Sequence, residues 1–285
     1  MNLVNKKVGA VFHDAGSANL GISYLKQKKI NAQYYCKGPA LKILNREFDK
    51  SIKNTDLNKL IEHSDVVITG TSRKNNIELQ TRKIIKNKKK INVTIIDHWT
   101  GYLKGFKYGK GSIFPNYLYV FNKKSYELAK KIFPKKIKIC KKTNYFEKKI
   151  VSNIKKNLRN SNNLLYVLEP FDNHFEFLAL KRFKNFLEKS NNIRVNLKFK
   201  LHPSEKKEKY NKWLKRNYKI KYELVNDQDI AKSLTWANYV VGLESYMLVL
   251  AMKAKKKVFT ILPFKKKKFR LPFKKIKNLS KMKII

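Results

Sequence analysis

Acidic side chains are in short supply: 20 Asp and Glu face 66 Lys and Arg, so the 285-residue chain carries a formal charge of +46. A polyanion-binding or anionic-membrane-binding protein is one reading of such a field. The lysines, however, are spread over helix faces and loops from end to end, which fits a composition-wide bias of AT-rich codons. No RNA-binding or helix-turn-helix signature accompanies them, so no specific nucleic-acid partner is expected. Cysteine is nearly missing. Cys36 and Cys140 stand far apart in no metal-ligand spacing, which argues against a cysteine-built metal site or a disulfide framework and fits a reducing compartment. No apolar run approaches the roughly 18 residues that cross a bilayer. Met1 to Lys7 leads into a strand without the apolar stretch of a signal peptide. A cytoplasmic location is expected.

What is present is enough for a core. The chain is 42% hydrophobic and holds 3 Trp, 15 Tyr and 17 Phe, which excludes a disordered polycation. Apolar runs of strand length alternate with amphipathic stretches of helix length. Residues 7–12, 31–35, 65–69, 91–96, 117–121 and 137–140 read as strands, with helices at 19–28, 57–63, from 76 onward and at 124–133. From 144 to 163 the sequence turns to Lys, Asn and Ser, the mark of a linker or a connecting helix. The alternation then begins again, with strands at 164–168, 195–201, 219–224, 239–241 and 257–262. Helices are expected at 174–188, 206–217, 228–237 (capped by Asp227) and 245–255. The fold class is therefore α/β, with two parallel sheets flanked by helices and facing each other across a cleft. The expected domains are residues 1–150 and 160–285, the second ending in a basic tail. That tail, from Phe264, has ten Lys or Arg and no acid. It lies on an anionic membrane surface or forms a last helix over the first domain.

In an open α/β sheet, ligands bind beyond the carboxyl ends of strands. Polar residues cluster at several such ends. The first strand breaks into His13-Asp14-Ala15-Gly16-Ser17, a small-residue loop before a helix, where Asp14 or His13 suits a general base. Its glycine spacing is not that of a dinucleotide fingerprint. Thr71 and Ser72 follow Gly70, either as caps or as contacts to an acceptor. Asp97, His98 and Trp99 end another strand and suit a sugar ring. In the second half, the strand at 195–201 breaks into His202-Pro203-Ser204-Glu205, and the strand at 239–241 into Gly242-Leu243-Glu244-Ser245. A protonated His202, the Ser245 hydroxyl and the N–H groups of the helix start suit a phosphate that gains charge as a bond breaks. Pro203 fixes the chain direction just after His202.

With those residues in place, the chain resembles the GT-B glycosyltransferases, two facing Rossmann-like domains, and within them the bacterial sialyltransferases and polysialyltransferases that carry a His-Pro pair. The resemblance implies that His202, with Pro203 and Ser204, and Ser245, with Gly242, hold the phosphate of a nucleotide-sugar. It implies that Glu244 binds a ribose hydroxyl and that Asp14 activates the acceptor. The acceptor side would comprise Thr71, Ser72, Asp97, His98 and Trp99. The implied partners are a nucleotide-sugar donor, a glycan or lipid-linked acceptor of surface polysaccharide assembly, and peripheral contact with the inner membrane face. No cofactor or metal is implied, and no Asp-x-Asp metal motif is expected. The chain departs from the family in having Glu244-Ser245 where two hydroxyl residues stand, and Ala15 between its acid and its glycine. A nucleotide-sugar epimerase on the same layout and a non-catalytic polyanion-binding or membrane-binding protein are the alternatives.

Overall fold

The computed structural model describes residues 1–72, 76–155, 161–170, 173–189, 195–227, 229–262 and 269–279. Contacts divide the chain into two compact units, Met1–Phe146 and Glu147–Ile285. The first unit runs β1 (Val8–Phe12), α1 (Ala15–Gln27), β2 (Ala32–Cys36), α2 (Pro39–Glu47), α3 (Leu57–His63), β3 (Val66–Thr69), α4 (Ile77–Asn87) and β4 (Ile91–Ile95). A small hairpin follows, β5 (Lys107–Tyr108) and β6 (Gly111–Ser112), then β7 (Tyr117–Val120), α5 (Lys123–Ile132) and β8 (Lys138–Lys141). Every residue of β1 and β3 is buried, as β-rich runs covered on both faces require. The edge strands β2 and β8 are instead mixed. The parallel sheet has the order β2-β1-β3-β4-β7-β8. Its order reverses between β1 and β3, which is where a crevice opens beyond the strand ends.

Helix α6 (Tyr145–Asn153) occupies the stretch expected as linker or helix. The second unit continues with β9 (Asn163–Val167), α7 (Asn173–Lys189), β10 (Asn196–Lys200), α8 (Lys207–Asn217), β11 (Tyr222–Val225) and α9 (Ile230–Trp236). It ends with β12 (Tyr239–Gly242), α10 (Tyr246–Lys253), β13 (Lys257–Thr260) and β14 (Lys277–Asn278). This sheet is also parallel, in the order β11-β10-β9-β12-β13-β14, so its switch point lies between β9 and β12. Aromatic rings fill the face under α7 and α8. Tyr166 and Phe183 lie 4.8 Å apart, and Phe199 and Tyr218 meet edge to face at 5.2 Å.

Several boundaries differ from expectation. Helix α1 begins at Ala15, so Ala15 to Asn19 are its first turn and not a loop. Helix α2 was not expected. Pro39 at its first turn follows Gly38 at φ +54°, a conformation glycine adopts without strain. The cap of α9 is Asp229, whose side chain accepts from Lys232 N, and not Asp227. Residues 257–262 do not close the sheet. Strand β14 pairs in parallel with β13 beyond them. Residues 269–279 of the tail form no long helix, and Ile276 and Leu279 are buried. Phe171, Asp172, Gln228 and Phe264 lie outside the described residues. No helix among the described residues is long and apolar enough to cross a membrane.

Candidate functional site

At the switch point of the first sheet, His13 Nδ1 lies 2.8 Å from Asp14 Oδ1. Asp14 occupies the N-cap position of α1, yet its carboxylate makes no cap bond and turns to the imidazole. With Nδ1–H donating to the carboxylate, Nε2 is left as the acceptor nitrogen, and no partner is found for it among the described residues. A Cβ at Gly38 would come within 2.9 Å of that Nε2, so the glycine keeps the nitrogen uncovered. Gly16 has the same relation to Asp97: a Cβ there would meet Oδ2 at 1.7 Å. The Asp97 carboxylate thus rests on the first turn of α1, where the helix dipole favours it.

A buried carboxylate ties the two loops of this switch point together. Glu78, 1% exposed, accepts from His13 N at 3.1 Å and from Ser72 N at 2.5 Å. Burial raises its pKa to about 7, against the opposing pull of those two amides and of Arg82. Arg82, 2% exposed, donates to the carbonyls of Gly70 and Gly105 and lies over the Phe106 ring at 4.9 Å. Thr71 and Ser72 are therefore not caps, because α4 starts only at Ile77 with Asn76 before it. Ser72 is a loop residue fastened by Glu78, and the buried Thr71 hydroxyl has no hydrogen-bond partner among the described residues. His98 Nε2 lies 3.9 Å from Asp97 Oδ1, and Trp99 Nε1 donates to Asn122 at 3.4 Å. The first unit thus gathers His13, Asp14, Thr71, Ser72, Asp97, His98 and Trp99 at the ends of β1, β3 and β4.

In the second unit the expected residues fall on two loops with β9 between them. Adjacent strands are about 4.8 Å apart, so the ends of β10 and β12 are separated by about 10 Å, the span of a diphosphate more than of one phosphate. His202 Nδ1 accepts from Ser204 N at 3.2 Å and lies 2.8 Å from Ser204 Oγ. A backbone amide can only donate, so the ring N–H sits on Nε2 and the resting imidazole is not the protonated form expected. Pro203 forms the turn between them. Ser245 Oγ accepts from Met247 N at 3.1 Å, which makes it the cap of α10.

The loop amides between β12 and α10 already hold a carboxylate. Glu169, 5% exposed at the end of β9, accepts from Leu243 N at 2.7 Å and Glu244 N at 2.9 Å. Burial lifts its pKa to about 7 although these amides favour the charged form. Gly242 sits tightly beside it, with a Cβ position 3.2 Å from Glu169 Oε1. The network runs on. Glu169 N donates to Glu176 Oε1, which Tyr210 Oη also reaches at 2.6 Å. Tyr210 and Lys209 contact Glu205 in the loop that holds His202, at 3.2 and 2.5 Å. The loops after β9, β10 and β12 are thereby locked to one another. Glu244, expected at a ribose, is instead held by Arg270 through Nε at 2.8 Å and Nη2 at 2.5 Å.

Glu78, Arg82, Glu169, Glu176 and Arg270 carry this architecture, and sequence reasoning gave none of them a role. An acid directly after an all-apolar strand, as at Glu169, was the available signal. An Asp-x-Asp sequence does exist at Asp227 and Asp229, but both carboxylates accept backbone amides, from Asp229 N and Lys232 N. Among the described residues no cluster of His, Cys, Asp or Glu could hold a metal ion.

Two parallel sheets flanked by helices, each with its crevice at a switch point, define the class: paired Rossmann-like α/β units of the GT-B kind. No protein-family model and no curated protein sequence matches the chain. The chain is similar in structure to S. aureus MnaA in complex with UDP, at 11% identity and TM-score 0.64 over 90% of this chain and 79% of that one. It is similar to UDP-GlcNAc 2-epimerase from Neisseria meningitidis bound to UDP-GlcNAc, at 12% identity and TM-score 0.59 over 85% and 78%. The glycosyltransferase of kitacinnamycin matches at 10% identity and TM-score 0.52 over 90% and 80%. At these identities the likeness establishes the fold.

Proposed function

We propose that this protein is a nucleotide-sugar enzyme, a glycosyltransferase that moves a sugar from an activated nucleotide to a glycan or lipid-linked acceptor in surface polysaccharide assembly. The observation that carries the reading is the 2.8 Å pair of His13 and Asp14 at the switch point of the first sheet. An imidazole whose Nδ1 is held by a carboxylate presents Nε2 as a general base. In transfer, Nε2 takes the proton of the acceptor hydroxyl while Asp14 orients the ring and steadies its charge. Asp97, His98 and Trp99, with Thr71 and Ser72, form the acceptor side. The second unit takes the donor, and His202 offers Nε2–H to the departing phosphate, where charge develops. The ligands of the S. aureus and N. meningitidis structures support a uridine nucleotide by analogy of fold. The His202-Pro203 resemblance supports a cytidine nucleotide. The basic tail fits an acceptor presented at the inner membrane face.

A thermal-shift panel of CMP, UDP, GDP, CDP and their sugars tests this. One nucleotide at a hundred times its Kd is expected to stabilise the fold by about 2.7 kcal/mol. His202→Ala should lose that shift. His13→Ala should keep it and slow transfer by roughly 10²–10⁴-fold. Stabilisation by none of the nucleotides sinks the proposal. Conversion of the nucleotide-sugar with no acceptor present favours an epimerase, the activity printed for the N. meningitidis structure.

A further inference from the structure

The occupied loop amides ahead of α10 leave the second unit with a physical problem. A phosphate at the switch point between β9 and β12 needs donors, and Glu169 already accepts from Leu243 N and Glu244 N. A side-chain cation beside His202 would supply them. Lys200 Nζ is spent on the Asp227 carbonyl. Lys209 Nζ is spent on Glu176 and Glu205, at 2.7 and 2.5 Å. Of these three described cations Arg270 keeps an open edge, its side chain 44% exposed and its carboxylate partner Glu244 only 5% exposed.

We infer that Arg270 is a second phosphate-binding residue of this unit, beside His202, and that Glu244 positions it. This assignment rests on the nucleotide-sugar reading and names its anion ligand. Glu244 grips one edge of the guanidinium, through Nε and Nη2, and fixes the backbone as well by accepting from Arg270 N at 2.6 Å. A guanidinium has five N–H groups. Two face Glu244, and the other three, two on Nη1 and one on Nη2, have no protein partner among the described residues. The open Nη1–Nη2 edge is the fork that accepts two phosphate oxygens side by side. The arginine is held firmly because its segment is anchored. Phe269 packs on the aromatic core, Ile276 and Leu279 are buried, and β14 joins the sheet. Glu244 is itself fixed through its amide by Glu169, so the cation is set in place from the end of β9. The ligand class is a nucleoside diphosphate or its sugar ester, gripped through the pyrophosphate.

Titration of wild type, Arg270→Ala, Arg270→Lys and Glu244→Gln with inorganic pyrophosphate and with UDP and CDP tests the assignment. Roughly 0.15 M salt, where the Debye length is about 8 Å, limits diffuse attraction to the basic surface. Arg216→Ala, on the exposed end of α8, removes one charge elsewhere as a control. Arg270→Ala should weaken pyrophosphate about tenfold or more, and Arg270→Lys should recover only part, because an ammonium is a point charge without the fork. Glu244→Gln adds positive charge yet should bind more weakly, since the guanidinium is no longer held. Equal pyrophosphate affinity in wild type and Arg270→Ala, an equal loss in Arg216→Ala, or tighter binding by Glu244→Gln overturns the assignment. Pyrophosphate binding that depends on Arg270 but is not displaced by any nucleoside diphosphate keeps the anion site and removes the nucleotide-sugar reading.

Discussion

Arg82→Leu should destabilise the first unit by about 2–6 kcal/mol, the cost of leaving two buried carbonyls without their donor at roughly 1–3 kcal/mol each. The leucine keeps much of the apolar volume under Phe106, so the loss isolates the charge. Three things go with the guanidinium. The carbonyls of Gly70 and Gly105 lose their donor, and the loop after β3 is no longer tied to the segment before β5. Glu78 loses the cation that favours its ionised form. Burial already pulls the Arg82 pKa down to about 10, a sign of how little water reaches the guanidinium. Urea unfolding followed by Trp99 reports on this unit alone once Trp213 and Trp236 of the second unit are changed to Phe. A loss below about 1 kcal/mol would show that the Arg82 bonds do not hold the unit together. The charge-preserving Arg82→Lys should fall between, because a single ammonium cannot reach two carbonyls and stack on a ring.

The second large effect is a dependence of stability on pH opposite to that of ordinary paired carboxylates. Glu78 and Glu169 are each raised from 4.5 to about 7, chiefly by burial. Between those values the folded chain keeps protons that the unfolded chain has released. The folded state therefore binds more protons in that window, and stability falls as the pH rises through it. Each group accounts for about 3 kcal/mol across the window, at 1.36 kcal/mol per pKa unit. Stability measured at pH 5 and pH 8 should thus drop more in wild type than in Glu169→Gln, and the slope should shrink again in Glu78→Gln/Glu169→Gln. Parallel pH curves for wild type and both variants would show that neither carboxyl titrates in the folded state. Below pH 4.5 both forms are protonated and the contribution is flat.

The strands were legible because parallel sheets demand unbroken apolar runs. Val66–Thr69 and Tyr239–Gly242 can hardly be read otherwise. Helix α2 was hidden behind Gly38-Pro39, which reads as a turn, although Ala40, Ile43 and Leu44 carry helical spacing and are buried. Strand β14 is two residues long and takes its order from β13, a long-range cause that no local pattern records. Of the candidate site, the loops were legible and their wiring was not. His13 and Asp14 are neighbours in sequence, so their pairing was open to reading. Glu78 reaches His13 across 65 positions and Glu169 reaches Glu244 across 75, and both look like surface acids when only local sequence is considered. Arg270 was lost among lysines because its distinguishing feature is a partner 26 residues earlier.

Three helices end alike, and the likeness has a thermodynamic meaning. Lys29, Lys89 and Lys255 stand at φ +52°, +53° and +59°, each just past the C-terminus of α1, α4 or α10. In all three the following amide reaches back five residues, Ile30 to Leu25, Lys90 to Ile85 and Lys256 to Ala251, to close a Schellman turn. Glycine is the residue at home in that left-handed geometry, and a side chain there costs about 1 kcal/mol. Exchanging the trio for glycine should raise the melting temperature while trimming three units of positive charge. The lysine-heavy composition has thus entered the backbone itself, and it leaves the chain with unused headroom at helix ends.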